Sequence, residues 1–300
     1  MKFGIALPNF GMYAEKDSIL RIVRAAEELG FDSLWVSDHI VIPDSHKGFG
    51  SVFYEPLITL TYVSACTTRI HLGTSVLIMP YRNPIVLAKM LSTLDVLSNG
   101  RVILGAGVGW LKAEFAALGV PYEERGAVTD EYIEILKVLW TEEEPRFEGK
   151  LHSFSGIKFL PKPFQKPHPP IWIGGNGKIA IERAVSLGDG WHSVGLTPDE
   201  IKERVKYANE LLPKKNKESD FIVSVRKNLQ IKDTAAKELT TAENRETLRG
   251  RPDQIAEGIK KYGEAGVSHI VFQVLSGTLE GVIKNMEIFS KNIRPDVVNI

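Results

Sequence analysis

The sequence predicts an α/β fold of the (β/α)8 kind, eight parallel strands closed into a barrel with helices on the outside. Three observations carry this expectation. Short apolar runs alternate with longer segments whose apolar residues repeat at helical spacing. Eight such runs can be counted, nearly all followed by a helix, and strict alternation with crossover helices implies parallel strands. The chain has 300 residues, 43% of them hydrophobic, enough for one barrel of about 250 residues plus insertions. An open doubly wound sheet is the competing architecture, and the count of eight favours the barrel.

Taken in order, Phe3–Leu7 is the first strand, closed by Pro8-Asn9. Ile19, Ile22/Val23, Ala26 and Leu29 recur at helical spacing, with Gly30 as the stop. Ser33–Ser37 is the second strand and ends in Asp38-His39; the irregular loop Ile40–Tyr54 follows, long enough to suggest a lid or binding loop. Leu57–Cys66 reads as a helix with Cys66 in the core. Ile70–Leu77 is the third strand, with Gly73 in mid-run. Asn83-Pro84 combines an N-cap with proline at the first helical position, opening an amphipathic helix through Leu87, Met90/Leu91, Leu94 and Leu97. Arg101–Ala106 is the fourth strand, and helical pieces follow near Lys112–Leu118 and Thr129–Trp140.

Glu144–His168 interrupts the rhythm with Phe147-Glu-Gly-Lys150 and four prolines. It reads as an inserted hairpin and a proline-rich return, so one domain over residues 1–300 is expected. Ile171–Ile173 and the run ending Gly188-Asp-Gly-Trp-His-Ser193 are the fifth and sixth strands, joined by a helix. Thr197-Pro-Asp-Glu200 is a capping box opening a helix to Leu212. Phe221–Ile231 is the seventh strand and His269–Val274 the eighth. Between them Pro252 opens a helix through Ile255, Ile259 and Tyr262, and Leu279–Ser290 closes the fold.

Composition removes several function classes. Lys plus Arg equals Asp plus Glu at 37 each, which argues against nucleic acid or an anionic membrane surface as partner. One cysteine excludes an internal disulfide and a multi-cysteine metal site, and no His/Asp/Glu cluster has metal-ligand spacing. No apolar run approaches the ~18 residues of a membrane span. The N-terminus enters a strand at once without signal-peptide architecture, so a cytoplasmic protein is expected.

In a parallel barrel the chemistry sits at the C-terminal strand ends. The fifth strand runs into Gly174-Gly175-Asn176-Gly177-Lys178 and then a helix. Glycines bring backbone N–H groups close to a ligand, the helix N-terminus favours an anion, and Lys178 adds a positive charge, so this turn reads as a phosphate clamp. The second strand delivers Asp38 and His39, a histidine beside a carboxylate and hence a candidate proton donor or acceptor. The rival reading is a loop histidine bonded to a backbone carbonyl. The third strand delivers Thr74-Ser75-Val76, the fourth Gly107-Val108-Gly109-Trp110, and the sixth Trp191-His192-Ser193. His192 is a weaker candidate, and the remaining histidines read as structural. Trp110 and Trp191 are placed to wall a flat aromatic ligand, Trp35 and Trp172 to pack. Glu114 reads as a surface carboxylate.

With these pieces in view, the chain resembles the bacterial luciferase-like family of flavin and deazaflavin oxidoreductases. The resemblance rests on Phe3–Pro8, Gly30–His39, Arg69–Val76, Leu97–Arg101, Gly105–Trp110, Pro169–Gly175 and Leu187–Trp191. It implies the same barrel, known as the TIM barrel, and points most closely to the branch that uses coenzyme F420, an 8-hydroxy-5-deazaflavin. By resemblance a non-prolyl cis peptide joins Ser75 and Val76 and bulges against the cofactor ring. Asp38, Val108 and Gly109 then contact the cofactor, the glycine clamp takes its phosphate, and His39 is the active-site histidine, with Asp38 orienting it or the polar edge of the ring; Trp191, by its position, is expected to wall the cofactor. The sugar-phosphate dehydrogenase branch carries a catalytic glutamate where this chain has Trp110, so that glutamate does not carry over, and Trp110 is assigned to the substrate pocket. The implied activity is hydride transfer between F420 and a small organic substrate. The alternatives are an FMN-dependent monooxygenase supplied by a separate reductase and a non-catalytic flavin-binding barrel. A homodimer is the family habit.

Overall fold

The barrel closes on the eight expected strands. The computed structural model describes residues 1–44, 50, 52–213, 221–233 and 245–299. With strands numbered along the chain, the ring is β1 (Lys2–Ala6), β2 (Ser33–Val36), β3 (His71–Thr74), β5 (Val102–Gly107), β8 (Ile171–Gly174), β9 (Gly190–Val194), β10 (Ile222–Ile231) and β12 (His269–Val274). Neighbours are parallel throughout, and β12 pairs with both β10 and β1 to complete the circle.

The crossover helices bury the predicted stripes. In α1 (Lys16–Glu28) Ile19, Ile22, Val23 and Ala26 face the sheet, and Gly30 at φ 78° turns the chain into β2. The helix α2 (Pro56–Ser64) follows, but Cys66 just beyond it is exposed, not core. In α3 (Pro84–Leu97) the Asn83 side chain accepts from the Ile85 and Val86 N–H groups at 3.0 and 3.3 Å. A short α4 (Lys112–Ala117) and a longer α5 (Arg125–Thr141) follow β5. Then come α6 (Lys178–Leu187) and α7 (Pro198–Leu211), the latter opened by the expected Thr197–Glu200 capping box. Last are α8 (Pro252–Glu264) and α9 (Leu279–Ile288). The insertion forms the expected hairpin, β6 (Phe147–Glu148) against β7 (Ser153–Phe154), antiparallel. None of the described helices is long and apolar enough to cross a membrane.

The barrel interior is filled by large rings. Trp35 stacks on Trp172 and on His192, with ring centroids 5.2 Å away in each case. The space comes from glycines: a Cβ on Gly73 or Gly4 would lie 2.4 or 2.6 Å from the Trp35 indole. This accounts for the glycine in the middle of the third strand. The indole Nε1 donates to Ser33 Oγ at 2.7 Å, and Ser33 Oγ pairs with His269 Nε2 at 2.8 Å, so these buried polar atoms are satisfied.

Two departures from the sequence reading bear on the site. The third strand is not continuous: it stops at Thr74, the chain bulges at Ser75–Val76, and a short β4 (Leu77–Ile78) resumes pairing with β5. An additional strand, β11 (Thr247–Gly250), lies parallel to the C-terminal half of β10. Its apolar content is too low to have marked it as a strand.

Candidate active site

The C-terminal strand ends enclose a cavity of about 740 Å³. Its walls include His39, Ser75, Val76, Val108, Gly109, Trp110, Gly174 and Gly175, so predicted residues from the ends of four strands, β2, β3, β5 and β8, meet in one place.

The bulge forms one side. The Ser75–Val76 peptide is cis, as the resemblance implied. Val76 fits a cradle of glycines, because a Cβ on Gly107 or Gly174 would approach its methyls to 2.4 or 2.7 Å. Only glycine at those two strand ends leaves the valine room to stand in the cavity. Gly109, at φ 78°, then turns the chain so that α4 folds back over the rim.

That turn brings in Glu114, and here the sequence reading needs correction. Glu114 is fully buried, not a surface carboxylate. Its Oε2 lies 2.7 Å from His39 Nδ1, and its Oε1 accepts from the Ile40 and Val41 N–H groups at 2.5 and 3.2 Å. Tyr81 OH donates to Oε2 at 2.9 Å. Burial alone would raise this carboxyl, but the bonds from His39, Ile40 and Tyr81 hold it below the ordinary glutamate range. An ionised carboxylate only accepts, so His39 Nδ1 carries a hydrogen. Burial and the Glu114 carboxylate push the Tyr81 phenol well up, which keeps it a donor.

Asp38 has a different employment from the one expected. Arg82 grips it through Nη1–Oδ2 at 2.7 Å and Nη2–Oδ1 at 2.9 Å, and the Ile78 N–H donates to Oδ2 at 2.8 Å. Arg82 Nη2 also reaches Glu55 at 2.8 Å. Burial depresses the Arg82 guanidinium, but Asp38 and Glu55 together hold it above its ordinary value. Asp38 therefore touches the cavity as half of a fixed ion pair and does not orient His39.

Trp110 is half exposed and lies edge-on to His39 with ring centroids 6.1 Å apart. Phe53, from the loop after β2, also lies edge-on to His39 with ring centroids 5.1 Å apart and stacks on Phe10 at 4.7 Å. Of the expected substrate-side loop, residues 45–49 and 51 lie outside the described residues. Trp191 is a second correction. It is fully buried in the core and donates its Nε1–H to Gly175 O at 2.6 Å, bracing the clamp from behind.

The clamp lies at the cavity mouth, with Gly175, Asn176, Gly177 and Lys178 exposed and α6 starting at Lys178. The Asn176 amide donates to Val194 O at 2.7 Å, and Lys178 Nζ sits 5.4 Å from the Tyr207 ring centroid. Both side chains thus have partners within the protein.

The floor carries groups the sequence reading missed or undervalued. His192 is buried between Ser75 Oγ at 2.8 Å and Ser224 Oγ at 2.9 Å; burial and the nearby Arg226 charge push it down to about 3, so it is neutral. Arg226 itself reaches Ser37 Oγ at 2.7 Å, Ser75 O at 3.3 Å and Gln273 Oε1 at 2.8 Å. Its signal was the alternation in β10, where Ser224, Arg226 and Asn228 fall on one face and Val223, Val225 and Leu229 include the packed positions.

Residues 1–244 match the luciferase-like monooxygenase family. The chain belongs to that family. Among its luciferase-like relatives, the F420-dependent glucose-6-phosphate dehydrogenase of Amycolatopsis mediterranei is 29% identical, over 87% of this chain and 89% of that protein. The FMNH2-dependent dimethylsulfone monooxygenase of Pseudomonas putida is 32% identical, over 53% of this chain and 44% of that protein. The solved structure of the monooxygenase RslO1 from Streptomyces bottropensis has a TM-score of 0.84 at 26% identity, covering 98% of this chain and 99% of that one. The chain is accordingly an oxidoreductase enzyme of the luciferase-like family, with both F420-dependent and FMN-dependent relatives.

Proposed function

We propose that this enzyme transfers hydride between coenzyme F420 and a small organic substrate, with His39 handling the accompanying proton. The observation that carries this reading is the His39–Glu114 pair, 2.7 Å apart on the wall of the cavity that Val76 enters. A histidine held in one orientation by an ionised carboxylate is equipped to donate or accept a proton.

The residues present fit a flat tricyclic cofactor. Val76 and its glycine cradle offer an apolar ridge for one face of a ring, Val108 and Gly109 line the same space, and the clamp at the start of α6 suits a phosphate. When bound, the deazaflavin supplies a ring carbon that accepts or gives a hydride. The protein's own part is proton handling and shape. Glu114 fixes the imidazole with its hydrogen on Nδ1, and the proton moves at Nε2, the ring nitrogen that Glu114 does not hold. Tyr81 and the Ile40 N–H keep the Glu114 carboxylate ionised. Trp110 and Phe53 pack edge-on around His39 and limit water on the substrate side.

The test is a pair of binding titrations with F420 and FMN, each oxidised and reduced, followed by anaerobic turnover. The expected result is F420 binding much tighter than FMN. His39→Ala should then lower turnover about 10²–10⁴-fold while F420 affinity is largely retained. Preference for reduced FMN with oxygen consumption would replace this reading with the two-component monooxygenase and its separate reductase. Unchanged turnover in His39→Ala would remove His39 from the mechanism.

A further inference from the structure

Arg226 is a cation on the cavity floor whose three hydrogen-bond partners, Ser37 Oγ, Ser75 O and Gln273 Oε1, are all neutral. Among the described residues no carboxylate lies within ion-pair distance of it. The carboxylates nearest the reacting histidine are committed elsewhere, Glu114 to His39 and Asp38 to Arg82. His192, its titratable neighbour, is held neutral between two serines. The floor therefore holds a positive charge that the protein does not balance locally, in surroundings where burial alone pulls the guanidinium down to about 10. Arg226 is only partly exposed; a partly desolvated charge without a protein counter-ion carries a cost, and a ligand that brings the opposite charge recovers it.

We infer that Arg226 is the counter-charge for the negative charge a bound redox ring holds once it is reduced. The position fits: Arg226 Nη1 bonds the carbonyl of Ser75, the residue that opens the bulge, so the guanidinium lies beside the ridge proposed to support the ring. The charge balance also fits, and it rests on the hydride-transfer reading above. A substrate C–H gives up a hydride, two electrons and a proton, and the same substrate's O–H or N–H proton goes to His39. The ring that takes the hydride is one unit more negative than before, next to Arg226. Charge beside the ring is a principal way a protein tunes such a cofactor. The two proton-and-charge tasks are thus divided between His39 on the wall and Arg226 on the floor.

The experiment compares wild type, Arg226→Gln and Arg226→Lys by fluorescence or absorbance titration with oxidised and with reduced F420. Arg226→Gln should weaken the reduced form about tenfold or more beyond its effect on the oxidised form. That ratio corresponds to a potential of the bound cofactor lowered by about 30 mV for a two-electron couple. Arg226→Lys, which keeps a charge, should recover part of the ratio and also guards against a folding defect. Equal losses for both forms, or no loss, would overturn the inference. So would an unchanged ratio accompanied by weaker binding of anionic substrates or inhibitors, which would assign the charge to the substrate instead. These outcomes are separable from failure of the F420 reading, because the oxidised-to-reduced ratio can be measured with FMN if FMN is the form that binds.

Discussion

Asp38 and His39 are neighbours in the chain, yet they serve opposite ends. Asp38 faces an arginine, Arg82, which stays protonated across the working pH range, so the pair is a permanent strut. His39 faces a carboxylate, Glu114, which fixes the orientation of its ring. Both contacts are 2.7 Å long and both are buried. The chemical identity of the partner, not distance or burial, separates the strut from the residue proposed to exchange a proton.

The sharpest way to break the comparison is Asp38→Ala. Removing one member of a buried ion pair costs about 3–5 kcal/mol, because the other charge is left uncompensated. Chemical denaturation should show that loss, partly relieved by the second Arg82 contact with Glu55. A change much smaller than this would mean the strut is not structural.

Glu114→Gln probes the other side. A hydrogen bond to a charged group is worth about 1.5–3 kcal/mol, so turnover should fall about ten- to a hundredfold while the fold survives. Stability should also respond to acid in a defined direction. The Glu114 carboxyl titrates below its unfolded value in the folded protein, so it adds stability above the ordinary glutamate range and loses it as pH falls through the folded value. Acid unfolding of Glu114→Gln should accordingly have a shallower pH dependence than that of the wild type; an identical acid limb would contradict the assignment.

The smallest effect is expected from Gly174→Ala, which touches neither pair. The new Cβ would lie 2.7 Å from a Val76 methyl and force the bulge to shift, an overpacking cost of about 1–3 kcal/mol. Cofactor affinity should drop while the His39–Glu114 contact is kept, and unaltered affinity would show that the ridge does not support the ring.

The barrel, and the placing of the glycine turn and His39 at the cavity, were legible because each depends on local order: alternation of apolar runs, a glycine cluster after a strand, a histidine at a strand end. What was not legible depends on contacts between distant residues. Glu114 follows Trp110 on a short polar helix and looks solvated until its partner, 75 positions earlier, is folded against it. Asp38 looked like a partner for His39 by adjacency, but Arg82 arrives from the segment after β4. Trp191 reads as part of a strand end, but it is the second residue of β9, buried in the core with its indole bonded to Gly175. Arg226 is visible as a polar residue on the inward face of β10, but a strand pattern does not say whether such a residue is paired.

The stacked Trp35 and Trp172 make the barrel a cup, not a tube. Among the described residues, the cavity opens at the C-terminal strand ends, past Gly175 and Trp110. Two molecules sharing one doorway cannot pass each other, so whichever sits lower arrives first and departs last. If the ring rests on Val76, the substrate is the passenger nearer the door, and a steady-state order of cofactor in, substrate in, product out follows from plumbing alone.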